Sequence, residues 1–332
     1  MSWSQVVAGT LTIAYAHRWI MSELLDGLII HHLRFTLHAQ DTIRLGHNAG
    51  SQLRGAFLNA LISFKFNDYV VHELIKRETA DAPRGKLPVR PFAIQPPLAN
   101  TEQGFFLRTG ERFSFNISLF GDVAQLFPYV IQSVAKMGEQ GVGYGRGTFT
   151  LKNVHAVNPL THETQSLLED GRIREAPGIP VTNEQVKVHA SAMPTEHLRL
   201  RFLTPLQLVQ AGKSISEPRF DVLIARLIDR CQAIAENYTA TEYSGLWREV
   251  YLDLVERAKH VVLADFDAKW LTLRSGSRRT NTTTSMSGLL GTATYTGALS
   301  PFNFWLLWGQ STQVGKNTTK GNGWYEILPI HL

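Results

Sequence analysis

GVGYGRGTFTLKNVHAV, residues 141–157, is a run of glycines around one arginine that passes directly into an alternating, strand-like segment. The pattern returns near the end of the chain as QVGKNTTKGNGWYEI, residues 313–327, where Gly315, Gly321 and Gly323 alternate with Lys316 and Lys320 ahead of WYEI. Each stretch places glycines and a basic residue before a terminal strand. Together they read as the closing steps of two copies of one unit.

The segments upstream of each loop fit that reading. LIIHHLRFTLHAQDTIRLG (28–46) has the apolar alternation of a half-buried strand, and GSQLRGAFLNALISF (50–64) puts Leu53, Phe57, Ala60, Leu61 and Phe64 on one helical face. Strand patterns follow at 88–97 and 112–121, a helix at 124–138, and then the first glycine loop and its strand. In the second half EHLRLRFLTPLQLVQAGK (196–213) echoes the first strand. Helical patterns lie at 219–238 and 244–259, strands at 260–266, 269–274 and 287–297, and a short helix at 301–310 precedes the second loop. The order β-α-β-β-α-β in each half is that of a ferredoxin-like unit. The expected fold is therefore α+β, two tandem ferredoxin-like (RRM-like) domains with Gly-rich loops. The first spans 28–157 and the second 192–332, and the Pro-, Gly- and polar-rich stretch 158–191 is a linker or surface excursion. Residues 1–27 form an N-terminal extension, with Met21 in MSELLDGLIIHHLRF expected as the functional start.

Composition narrows the function classes. The 332 residues are 44% hydrophobic and 18% charged, with a formal net charge of +5, a mild lean toward acidic partners. Cys231 is the sole cysteine, which excludes a disulfide framework and a thiolate zinc site. VVAGTLTIAYA (6–16) lacks a basic lead-in and is too short to span a bilayer, so a reduced, cytoplasmic protein without membrane association is expected.

LRFTLHAQDTIRLGHNAGSQLRGAF (33–57), PFAIQPPL (91–98), SLFGDVAQLFPYVIQSV (118–134) and the block from Ser287 to Ile327 together resemble the CRISPR-associated RAMP endoribonucleases. The resemblance runs from Leu28 to Ile327 and is strongest at 287–327. It implies two ferredoxin-like domains side by side and cleavage of CRISPR repeat RNA in precursor transcripts to give guide RNAs. The chemistry it implies is metal-independent attack by a ribose 2′-OH, leaving a 2′,3′-cyclic phosphate and a 5′-OH. CRISPR repeat RNA and guide RNA are the implied partners, with a CRISPR effector complex as a further one, and no metal, nucleotide or other cofactor is called for.

Such a cleavage needs a base for the 2′-OH, an acid for the leaving 5′ oxygen, and donors for the growing phosphate charge. His47, in RLGHNAGS directly before the predicted helix, is the first choice, because backbone N–H groups at a helix N-terminus favour a phosphate. The resemblance adds His72 and Lys86, which align with a catalytic histidine and lysine of an archaeal branch. That branch's tyrosine falls on Leu58, which cannot bond a phosphate, a departure that counts against His72 unless Tyr69 substitutes. RNA contacts are expected from Ser51 and Arg54 on the first helix, from Arg146, and from Arg274, Arg278 and Arg279 in LRSGSRRTNTTTS. The same is expected of Gly315, Lys316, Lys320, Gly321 and Gly323, whose glycines let backbone approach an RNA strand. His31 and His32 read as structural, as do Trp305 and Trp308. AGKS (211–214) lacks the first glycine of a P-loop, and Asp265 and Asp267 read as a solvated turn rather than a metal site. The competing reading is a non-catalytic RAMP subunit that holds guide RNA in an effector complex.

Overall fold

The structure, a computed structural model, describes residues 23–64, 66, 68–75, 89–169, 171–239, 246–277 and 282–329. The N-terminal half carries β1 (Ile29–Ala39), β2 (Ile43–Leu45), α1 (Ala49–Ser63), α2 (Asp68–Leu74), β3 (Phe92–Gln95), β4 (Phe105–Leu107), β5 (Arg112–Phe120), α3 (Phe127–Gln140) and β6 (Phe149–Val157). Next come β7 (Thr164–Glu169), β8 (Arg172–Ile173), β9 (Val181–Thr182) and α4 (Asn183–Ser191). The C-terminal half has β10 (His197–Leu206), β11 (Val209–Gln210), β12 (Lys213–Ser214), α5 (Phe220–Tyr238) and α6 (Leu246–Ala258). It closes with β13 (Val262–Leu271), β14 (Arg274–Ser277), β15 (Thr282–Ser285), β16 (Gly288–Thr296), α7 (Asn303–Thr312) and β17 (Tyr325–Leu328).

Both halves build the same sheet. The first orders its strands β3-β5-β1-β6 before β7 and β8, and the second orders them β13-β16-β10-β17. In each, the strand opening the unit sits between the third and the last, and all pairings are antiparallel. These are two ferredoxin-like units. The period-2 alternation explains the layering: Leu33, Phe35, Leu37 and Ala39 of β1 face the first core, while Arg34, Thr36 and His38 face away. Phe57 on α1 meets Phe92 on β3 edge to face at 5.5 Å, which locks helix to sheet. Trp305 and Trp308 on α7 are wholly buried in the second core.

Several segments differ from their sequence pattern. The stretch 158–191, whose prolines and glycines suggest a linker or surface excursion, carries β7 and β8 as an extension of the first sheet and β9 paired to the start of β1. Its helix α4 opens on a capping box of Thr182 and Gln185 and places Val186 in the second core. Leu24 and Leu25, assigned above to the extension, are buried in that core as well, whereas Met21 lies outside the described residues. The two strands expected over 260–274 are one strand, β13, with a register shift between Leu263 and Asp265. Asp265 and Asp267 therefore lie exposed on a strand, not in a turn. AGKS spans the tip of the β11–β12 hairpin, where Ala211 and Gly212 have positive φ.

The halves meet over α7 and α5. Gln313 Nε2 donates to Ile94 O at 2.8 Å, Gln95 Nε2 to Gln310 O at 3.3 Å, and the Arg230 guanidinium lies 5.5 Å from the Phe120 ring centroid. No described helix is long and apolar enough to cross a membrane.

Candidate functional site

His47 sits just ahead of α1, and a glycine two strands away fixes its surroundings. β2 pairs with β4, so the turn leading into β4 passes directly against residues 45 and 46. A Cβ at Gly104 would lie 2.5 Å from Gly46 C and 2.6 Å from Leu45 O, and its φ is +119°. Glycine is required there. The turn 101–104, closed by Gly104 N donating to Thr101 O at 3.1 Å, then presents the Glu102 carbonyl to His47. His47 Nε2 lies 2.8 Å from that oxygen, so Nε2 carries a proton and donates. Among the described residues Nδ1 takes no hydrogen bond, and in the neutral ring it is the acceptor atom.

The start of α1 is also where the C-terminal half docks. Asn48 stands at the N-cap but makes no capping hydrogen bond; its Nδ2 instead donates to Arg274 O at 3.4 Å. Ser51 Oγ is 2.8 Å from Ser275 Oγ. Gly50 packs so closely under the second glycine loop that a Cβ there would lie 2.3 Å from Lys320 O and 2.9 Å from Gly321 Cα. That loop is held in turn by Asn317 Nδ2 on Ser285 O and Asn322 Nδ2 on Met286 O, both at 3.0 Å. One junction thus gathers His47, the first turn of α1, the base of the β14–β15 hairpin and the loop 315–323.

The remaining expected residues distribute as follows. Arg274, whose carbonyl accepts from Asn48, is exposed, as is Lys316 in the loop 315–323; Lys320, whose carbonyl packs on Gly50, is half-buried, and Arg54 is half-buried on α1. Gly315 and Gly323 approach protein backbone, Gln207 O and Val314 O respectively, as Gly321 approaches Gly50. Arg146, in the first glycine loop, folds back so that Nε and Nη2 donate to Gln140 O at 3.1 and 2.9 Å. His72 is in another neighbourhood. It is exposed on α2, which packs against the turn 121–126, with Nδ1 3.4 Å from Glu73 Oε1 and Tyr69 one turn before it. Lys86, Arg278 and Arg279 lie outside the described residues.

His32 is buried between Ser118 Oγ at 2.9 Å and Ser311 Oγ at 3.0 Å, and burial lowers its pKa to about 3; burial likewise lowers His31 to about 4. Beside His32, a cleft of about 340 Å³ opens between the sheets, lined in part by Arg34, Gln95, Asn116 and Glu326. A second cleft, of about 730 Å³, lies next to His47 and is lined by Arg44, Gly46, Glu102, Phe106 and Tyr144 among others. Among the described residues no group of three or more His, Cys, Asp or Glu is placed to hold a metal ion. Glu102, Ser275, Arg44 and Tyr144 escape the sequence reading. For Tyr144 alone the sequence carries a signal, an aromatic residue that interrupts the glycines of GVGYGRG.

Residues 28–178 match a family model described as an N-terminal domain, and residues 200–325 match that of the CRISPR-associated endoribonuclease Cas6. Among solved structures, Thermus thermophilus Cas6 aligns with a TM-score of 0.53 at 14% identity, over 91% of this chain and 99% of that one. A Cas6 product complex gives 0.56 at 16% identity, over 90% and 99%. A partial Cas6-RT-Cas1–Cas2 complex gives 0.59 at 12% identity, over 92% of this chain and 48% of that one. No curated protein sequence matches the chain.

Proposed function

We propose that this chain, a Cas6-type CRISPR RAMP protein by the match over residues 200–325 and by its fold, is an endoribonuclease that cuts CRISPR repeat RNA in precursor transcripts. The observation that carries the reading is the junction at His47, where an imidazole oriented by the Glu102 carbonyl stands beside a first turn of α1 that the β14–β15 hairpin and the loop 315–323 of the other half contact.

The ribose 2′-OH attacks the adjacent phosphorus. The O2′–P bond forms as the P–O5′ bond breaks, leaving a 2′,3′-cyclic phosphate and a 5′-OH. His47 Nδ1, the acceptor atom, takes the proton of the 2′-OH while the Glu102 carbonyl holds Nε2 and fixes the plane of the ring, and a proton from water completes the leaving O5′ as the 5′-OH. Arg274 and Lys316, both exposed, neutralise phosphates along the RNA. Guide RNA is the product, and an effector complex is the partner that such a product implies. His72 and Lys86 remain secondary candidates for the same chemistry, to be judged by the same assay.

The test is incubation of the purified protein with repeat RNA in EDTA, with the product ends identified. Cleavage at one site, ending in a cyclic phosphate, is the expected result. Tight binding without cleavage would leave an RNA-holding subunit, and cleavage only after added metal would overturn the mechanism.

A further inference from the structure

The cleft beside His47 is more than space around a catalytic residue. Tyr144 stands at the tip of the turn 143–146 with 64% of its surface exposed, although it is a large aromatic side chain. The turn beneath it is rigidly seated. Tyr144 N donates to Arg44 O at 2.9 Å, and a Cβ at Gly143 would lie 2.1 Å from that same oxygen. The edge of the Tyr144 ring abuts Gly46, with Cε2 3.6 Å from where a Cβ would be, one residue before His47. Arg44, which is paired across the strands with Phe106, lines the same cleft with its guanidinium 5.7 Å from the Phe106 ring centroid, so a cation and a second aromatic lie beside the tyrosine.

An exposed aromatic ring on a fixed turn, in one cleft with an arginine held over a second aromatic and adjacent to a histidine, has the chemistry that receives a nucleobase. We propose that this cleft seats the base of a nucleotide adjoining the phosphate at His47, with Tyr144 as the stacking platform and Arg44 beside it. The pocket positions the scissile bond: holding the neighbouring base fixes the ribose whose 2′-OH attacks. Tyr144 is a positioning residue. The inference rests on the RNA-cleavage reading, and its experiment separates the two.

A 5′-fluorescein single-stranded RNA copied from the host's CRISPR repeat is bound to the full-length protein, intact or with one abasic site at either nucleotide flanking the cut. Tyr144→Ala should weaken binding of the intact RNA about 10-fold, within the range of stacking on an aromatic residue. It should cost nothing further on the RNA whose flanking base is missing, and Tyr144→Phe should behave as wild type. A structural role for Tyr144 would produce an equal loss on intact and abasic RNA, and that result overturns the pocket. So does unchanged binding of intact RNA by Tyr144→Ala. Wild-type protein that binds intact RNA more tightly than abasic RNA but never cuts it would retain the pocket and remove the cleavage reading. Failure of the wild type to bind either RNA removes both.

Discussion

What a histidine can do here depends on what its two ring nitrogens already hold. His32 has both engaged by serines inside the protein and is only 2% exposed, whereas His47 has Nε2 on a backbone carbonyl and is half-buried at a surface cleft. The cations nearby are testable one at a time. Lys316→Ala and Arg274→Ala should each lower the salt slope of repeat-RNA binding by ~0.7, the increment for one phosphate on a single strand. An unchanged slope in either variant would remove that side chain from the RNA track. His47 was legible in the sequence because it directly precedes a helix with a strong apolar face. Its partner was not, because the bond runs to the main-chain oxygen of Glu102, and a carbonyl leaves no trace in residue type.

At the scale of elements, close approach of backbones assembles the site. α1 and the loop 315–323 touch through Gly50 and Gly321, so Gly50→Ala forces backbone apart where a Cβ would be 2.3 Å from Lys320 O. That overpacking should cost about 1–3 kcal/mol in denaturant unfolding and lower cleavage more than it lowers RNA affinity. Wild-type stability and rate in Gly50→Ala would show that the loop and helix do not need to meet. The order of elements was readable because alternation and the two glycine loops repeat in both halves. The span 158–191 was not, since short β7, β8 and β9 hold place by pairing rather than by pattern. Yet its capping-box signature, VTNEQ, was in plain view. The glycine loops show the same limit. Their glycines answer to Gln207, Val314 and Gly50, contacts of the tertiary fold that spacing alone does not disclose.

For the whole molecule, the two ferredoxin-like units must stay docked for the site to exist, and His32 helps to hold them. It joins Ser118 of β5 to Ser311 of α7 in its neutral form. Its folded pKa is about 3, below the unfolded value near 6.5, so the unfolded chain binds the extra proton between those limits. Stability is complete above about pH 6.5 and falls as the pH drops toward 3, by up to roughly 1.4 kcal/mol per pH unit for this group. Urea midpoints measured at pH 7 and pH 5 should show that fall, and His32→Asn should flatten it. An equally steep fall in His32→Asn would assign the acid sensitivity elsewhere.

Docked in this way, the halves bring the β14–β15 hairpin and the second glycine loop to a histidine that precedes them by more than two hundred residues. The most direct test of the account is the cleavage rate of His47→Ala on repeat RNA in EDTA, with RNA affinity measured in parallel. The account predicts a rate lowered by about 10²–10⁴-fold with affinity little changed. A wild-type rate in His47→Ala would contradict it and move the chemistry away from the start of α1.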